Sequence, residues 1–336
     1  MKTKPQQSTR IAAAKSNLLT VKIERGFSLI ELMVASAIAL IILVAVSNVF
    51  INSSSNERAN NAASEFTTNG RYAIETLRRD ILLAGFKGLT SFPRTTPTTA
   101  LSNFLVTGDC GTRFATNTTL NPLGGNEYEL GGLFGANDTN PYSGTCVPSA
   151  SYSTGDILVS RHAAENSTPT LVANTLYMRS TYGQWELYKG NTALAGFTKE
   201  PQLNYKYQTS VYYISPNTSG TDGVPALYKA ALGAGPAMTS SLVASNIQDM
   251  QFQYGRTDKN TATTRFYNAN QISATATPSE WESISSVRIW ILVRGTNVEP
   301  GYTNGNAYTL GDKTIAAAND GYRREVFSTV VKVRNF

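Results

Sequence analysis

Residue types suited to nucleophilic or metal chemistry are scarce in this 336-residue chain: one histidine, His162, and two cysteines, Cys110 and Cys146. His162 lies in Ser160-Arg161-His162-Ala163, with no second histidine and no nucleophile motif around it. A Ser-His-Asp triad is assembled in space, so spacing along the chain does not decide it. No GxSxG, HExxH or phosphate-loop pattern supports an enzyme, and nothing calls for a cofactor. The cysteines make no CxxC pair and no cysteine–histidine ligand spacing. Asn126 to Asn140 is rich in Asn, Asp and Gly, whose oxygens suit calcium, but Asn137-Asp138-Thr139-Asn140 lacks EF-hand spacing and reads as a solvated loop. Arg323-Arg324 with Lys332 and Arg334 forms a basic cluster near the C-terminus. On a strand near a free end this reads as a solvated edge, with nucleic-acid contact as the rival reading. The 17 tyrosines read as strand and core residues rather than a base-stacking platform.

One carboxylate stands out by its surroundings. From Phe27 to Ile51 there are 25 residues and one formal charge, Glu31. A helix of that length, at about 1.5 Å per residue, crosses the ~30 Å hydrocarbon core of a bilayer. A carboxylate within such a span costs on the order of 2.5–3.5 kcal/mol on insertion scales, so Glu31 needs a function or an interfacial position. A cleaved secretory signal fits poorly. Its apolar region would be about 7–15 residues and would end at a small-residue cleavage site. Here the small residue, Gly26, precedes a longer run.

That inverted order, in Gly-Phe-Ser-Leu-Ile-Glu-Leu-Met-Val-Ala (26–35), resembles the type III signal of type IV prepilins. The resemblance implies cleavage between Gly26 and Phe27 on the cytoplasmic side by the prepilin peptidase. It also implies N-methylation of Phe27 and makes Glu31 the fifth mature residue. Gly26 lets backbone approach closely in a protease site. In the water-poor core of a filament, the Glu31 carboxylate needs a cation, because an unpaired buried charge is costly. The family supplies one in the terminal amine of a neighbouring subunit, here on Phe27. Glu31 is then an assembly residue, not a catalytic one.

Residues 1–26 form the leader. Six basic residues against Glu24 give it +5, so only +1 of the chain's formal +6 belongs to residues 27–336. The basic total therefore does not point to nucleic acid for the mature chain. The positive-inside rule places the leader in the cytoplasm and the C-terminal domain outside it. A start at Leu19 or Val21 would shorten an unusually long leader.

After the apolar run, Asn52-Ser53-Ser54-Ser55-Asn56 has weak helix propensity and marks a distortion or the exit from the bilayer. From Glu57, an apolar stripe at Ala62, Phe66, Ala73, Leu77, Ile81 and Ala84 predicts helix again, with Arg71, Glu75, Arg78, Arg79 and Asp80 off or beside it. Gly70 is expected to mark a bend and Gly85 the helix end. A continuous helix from Phe27 to Ala84 would be roughly 87 Å long. Residues 88–153 read as irregular. Because this part is exported, Cys110 and Cys146 favour a disulfide over a metal or redox role. Closing 35 intervening residues contributes roughly 3–4 kcal/mol in the chain-entropy model.

From Gly155, short runs bounded by turn residues predict strands at 156–160, 175–179, 184–189, 204–215, 226–229, 247–254, 287–294 and 325–333. With few helices between them, the sheet should be mostly antiparallel. About 250 soluble residues suffice for one sizeable core. The stretches 69–86, 155–159, 249–255, 287–294 and 322–327 resemble the minor pilin family PilW. That resemblance implies an α+β, pilin-like fold with a long N-terminal helix packed on an antiparallel sheet, related to the J-type pseudopilins. The expected organisation is a leader (1–26), a membrane and assembly helix (27–51), its amphipathic continuation (52–86) and a β-rich periplasmic domain (87–336). Asn48 and Leu40 stand where major pilins often carry proline and glycine, which suits a minor subunit.

The function so implied is a minor pilin that primes pilus assembly, sits at the tip and supports twitching motility, adhesion or DNA uptake. Its partners would be other minor pilins, the major pilin, the prepilin peptidase, the inner-membrane assembly platform and the lipid bilayer. It would pass from the inner membrane to the pilus on the cell surface. Rival readings are a type II secretion pseudopilin, a membrane-tethered enzyme that depends on His162 or a carboxylate pair, and a tip adhesin or DNA-binding module.

Overall fold

The structure is a computed structural model and describes residues 26–90, 132–144, 146–183, 185–190, 201–235, 237–258, 260–273 and 280–334. The chain divides into two compact units, Met1–Glu57 and Arg58–Phe336. One helix, α1 (Leu29–Leu83), starts in the first and ends in the second. It runs unbroken through Asn52–Asn56, where a distortion was expected. Ser and Asn cost only a fraction of a kcal/mol each in a helix interior, too little to interrupt an established ladder. In the apolar stretch, the Ser36 and Ser47 hydroxyls donate to the carbonyls of Met33 and Leu43, so each satisfies itself on its own helix.

In the first unit, every large apolar side chain named from Phe27 to Ile51 is at least half exposed, Phe27 at 90 %. Within the second unit the predicted stripe is the buried face from Phe66 to Ala84; the Ala62 side chain lies outside the described ones. Phe66, Ala73, Leu77, Ile81 and Ala84 all join the main core. Gly70 causes no break. It is buried, and a β-carbon there would fall 2.8 Å from the Phe327 ring. Its missing side chain is a packing requirement. The helix ends as expected at Gly85, whose φ of +76° is one that side-chain-bearing residues rarely adopt. The Gly85 N–H then donates to the Arg161 carbonyl.

The strands are β1 (Leu133–Ala136), β2 (Ile157–Ser167), β3 (Leu176–Ser180), β4 (Trp185–Lys189), β5 (Leu203–Ser215), β6 (Ala226–Leu232) and β7 (Met238–Ser245). They build a seven-stranded sheet in the order β1-β2-β5-β3-β4, with β6 added on β5 and β7 on β6. β5 is long enough to pair β3 along residues 203–206 and β6 along residues 210–215. The chain then turns at Asn246, which has φ +64°, into β8 (Ile247–Thr257), β9 (Thr264–Tyr267) and β10 (Ile284–Arg294). After the hairpin β11 (Tyr308–Leu310) and β12 (Lys313–Ile315) comes β13 (Arg324–Lys332). These close a second sheet, β13-β10-β8-β9. All described pairings are antiparallel.

The fold is therefore α+β, a long N-terminal helix followed by antiparallel sheets, but with two main sheets where one was expected. All eight predicted strands are present within a few residues, with β2, β6, β8 and β10 running three or more residues further at one end. β1, β7, β9, β11 and β12 were missed. Four of these have three or four residues, too few to display a period. β7, Met-Thr-Ser-Ser-Leu-Val-Ala-Ser, is mostly exposed and so does not alternate. The alternation read in β8 and β10 is the core: Met250, Phe252, Tyr254, Val287, Ile289, Ile291 and Val293 are fully buried against the helix stripe.

Gly70→Val is expected to lower stability by about 1–3 kcal/mol through overpacking against Phe327. Phe327→Ala in the same chain should restore part of that loss. Urea unfolding of the detergent-solubilised chain measures both; no effect of Gly70→Val would contradict the packing role.

Candidate functional site

At the helix start, Gly26, Phe27 and Glu31 are all exposed. A β-carbon on Gly26 would meet nothing within 4 Å, and its φ is not in the left-handed region. Nothing in the chain's own fold therefore demands glycine there. Glu31 has a local bond that the sequence reading did not foresee: its Oε2 accepts the Ser28 N–H at 2.9 Å. Ser28-Leu29-Ile30-Glu31 has the S-x-x-E spacing of a capping box, and this is its reach-back half. The carboxylate also sits in the first turn, where it complements the helix dipole. The helix behind it is long and apolar enough to cross a membrane.

Cys146 is buried beside Tyr142, Val147, Ile157 and Val159. Cys110 lies outside the described residues, so the Cys110–Cys146 pairing remains a proposal. Among the described residues no cysteine is free.

His162 belongs to a buried charge cluster. Asp80, only 7 % exposed, accepts from Tyr212 Oη at 2.6 Å and Lys229 Nζ at 2.9 Å. His162 Nε2 lies 3.9 Å from its other oxygen, outside hydrogen-bond range but close enough to act electrostatically. His162 Nδ1 donates to the Ala163 carbonyl and the ring is buried, so it is not presented to a substrate. Burial alone would raise the Asp80 pKa. His162, Lys229 and Tyr212 together outweigh it and hold the carboxyl well below the usual carboxylate range. Asp80 had been placed beside the apolar stripe. At three residues past Leu77 and four before Ala84 it lies on that stripe, and this spacing was the available signal.

A second cluster fills the loop once considered for calcium. Lys313, at the start of β12, places its ammonium 2.6 Å from Asp138 and 2.9 Å from Asp249. Gln251 Nε2 donates to both carboxylates at 3.0 Å. A lysine thus occupies the cation position between these aspartates. Among the described residues no group of His, Cys, Asp and Glu is arranged to hold a metal. Asp156 accepts the backbone N–H groups of Asp138 and Phe252 at 3.0 and 2.8 Å. Burial nevertheless pushes its carboxyl up to about 7, with Asp138 and Asp312 adding to the rise.

The expected basic edge is not a free basic edge. Arg323 is bound by Glu299. The Arg324 side chain is 4 % exposed and bonded to Asp320 and Gln248. These two arginines, expected on a solvated edge with nucleic-acid contact as the rival reading, instead fasten the loops around β13. Lys332 and Arg334 do remain exposed.

Two family models match. Prokaryotic N-terminal methylation motif covers residues 22–47, and Type IV Pilus-assembly protein W covers residues 211–335. The second spans three of the stretches singled out above, 249–255, 287–294 and 322–327, while 69–86 and 155–159 fall outside it. No curated protein sequence matches the chain. Among solved structures, a type IV-like pilin from Thermus thermophilus is 16 % identical, with a TM-score of 0.26, over 56 % of this chain and 81 % of that one. At that score the likeness carries no argument; the fold rests on the described elements.

A methylation-type helix start joined to a C-terminal pilus-assembly region defines a type IV pilin-like protein, and with its apolar helix indicates membrane anchoring and association with a pilus. Within that class, residues 211–335 match the PilW family, Type IV Pilus-assembly protein W. Such proteins are structural rather than catalytic.

The two buried aspartates predict opposite pH effects. Asp80, lowered in the fold, contributes stability above the unfolded value near 3.8 that is lost as pH falls below it. Asp156, raised to about 7, contributes stability that is full below 3.8 and lost as pH rises through about 7. Between pH 4.5 and 7 the wild-type unfolding free energy should carry a falling component of up to about 1.4 kcal/mol per pH unit from Asp156. Asp156→Asn should remove that component, whatever its effect on overall stability. Urea unfolding at several pH values checks this; parallel pH profiles for the two proteins would contradict it.

Proposed function

We propose that the chain is processed between Gly26 and Phe27 by the prepilin peptidase, N-methylated at Phe27, and drawn from the inner membrane into a type IV pilus. It primes assembly with other minor pilins and remains at the tip. The observation that carries the reading is the order of parts: a glycine with no role in its own fold, then a helix whose apolar surface is exposed from Leu29 to Ile51. The basic leader holds the N-terminus in the cytoplasm, and the β domain lies in the periplasm. Cleavage in front of the helix leaves it in the bilayer until the assembly platform extracts it.

Glu31 has two roles in this scheme. In the free subunit it caps its own helix through Ser28. In the filament its charge meets the terminal amine of a neighbouring subunit's first residue, which removes an otherwise unpaired carboxylate from a water-poor core. A Cys110–Cys146 disulfide ties the segment after the helix to the core around Val147. The β domain selects partners among the minor and major pilins, and the pilus serves motility, adhesion or DNA uptake.

Intact mass of the purified protein together with surface piliation tests the scheme. The wild-type chain should begin at N-methylated Phe27. Gly26→Val should retain the leader and lose pili. Glu31→Gln keeps an acceptor for Ser28 but no charge, so it should be cleaved and still fail to restore piliation. Normal piliation with Glu31→Gln would reduce Glu31 to a helix cap. An uncleaved wild-type chain would overturn the whole reading.

A further inference from the structure

The outer face of the second sheet carries cations of a different kind from Arg323 and Arg324. Register pairs Arg288 of β10 with Val330 of β13 and Gln253 of β8, so these side chains share one face. The next row on that face holds Lys332, Ser286, Gly255 and Phe266. Gly255 leaves room for the Ser286 hydroxyl, the Thr264 methyl and the Phe266 ring, which a β-carbon there would meet at 3.0 Å or less. The Arg288 guanidinium lies 3.8 Å over that ring. Val330 is 58 % exposed and Lys332 is exposed beside it.

Five other half-buried cations are matched by carboxylates: Lys229 by Asp80, Arg256 by Glu280, Lys313 by Asp138, Arg323 by Glu299 and Arg324 by Asp320; Arg294 instead donates to the Gly223 carbonyl and stacks on Tyr322. Among the described residues neither Arg288 nor Lys332 makes an ion pair. Arg288 is thus ordered in advance by stacking, and its charge is left without an internal counterpart. An arginine stacked on a half-buried ring beside one exposed apolar side chain, Val330, is the composition of an interface anchor. Two cations are few for a nucleic-acid backbone, where affinity grows with the number of phosphates neutralised.

We infer that this face, centred on Arg288, Val330 and Lys332, docks an acidic surface of a neighbouring pilin subunit. The partner's identity rests on the pilus reading above; the unmatched charge and the stacked arginine do not. A carboxylate from the partner completes the Arg288 site, and Val330 supplies the apolar contact next to it.

The test uses the full chain in its own cells, with a benzophenone photo-cross-linking residue at Val330 or, in a separate chain, at Ile41 in the apolar helix. The Val330 probe should give an adduct with another pilin subunit at an acidic peptide. Arg288→Glu with Lys332→Glu should reduce that adduct about tenfold or more, while the Ile41 adduct persists and shows that the double variant still folds and assembles. An Ile41 adduct accompanied by no Val330 adduct, by a Val330 adduct that charge reversal leaves unchanged, or by one that nuclease removes would overturn the inference and leave the pilus reading standing. Loss of both adducts in the otherwise wild-type chain would overturn both.

Discussion

An exposed apolar surface from Leu29 to Ile51 is the constraint on which the rest of this protein depends. Its backbone is satisfied within the helix and its serines bond to their own turns, so the segment is chemically complete in an apolar medium. Water is the wrong solvent for it, because each fully exposed Leu, Ile or Val forgoes about 1.5–3 kcal/mol of burial. Lipid and the helices of other subunits are the two environments that supply that burial. A helix able to exchange one for the other has the physical requirement of a subunit that leaves a membrane for a filament.

The globular unit solves a different problem. The rear of the same helix must be held on a sheet, and apolar packing is supplemented there by a buried carboxylate. Asp80 reaches Tyr212 on β5 and Lys229 on β6, with His162 of β2 nearby, so three strands converge on one helical residue. Removing one partner of such a cluster costs more than the cluster contributes as a whole, because a charge is left buried and alone. The geometry therefore discriminates against misplaced helices more strongly than it stabilises the correct one. Lys313 works similarly at the other cluster, joining the β11–β12 hairpin to Asp138 and to Asp249 of β8.

What was legible in the sequence was what depends on local periodicity. Ala73, Leu77, Ile81 and Ala84 follow the helical repeat, and Met250, Phe252 and Tyr254 the strand repeat, so both the helix face and the core of the second sheet were readable. The methylation-type motif matched at residues 22–47 was readable too, because its pattern is linear: a glycine, a phenylalanine and a glutamate at set spacing before an apolar run. Short and exposed strands were not, since β7 buries only Ala244 and the β11–β12 hairpin only Leu310, too little to impose a pattern.

The sequence by itself determined the apolar helix and the methylation-type motif at its start, because each depends on neighbours along the chain. Tertiary structure alone decided the fate of the charges. Asp80 and Arg324 went inward, Gly70 became a seat for Phe327, and a lysine took the place of a cation between Asp138 and Asp249. A charge's environment is set by groups distant in sequence, and Coulomb energy depends on their separation in space and on the solvent excluded between them. Arg323 and Arg288 are both arginines near β-strand residues, yet one is neutralised by Glu299 and the other stacks on Phe266 with its charge unmatched.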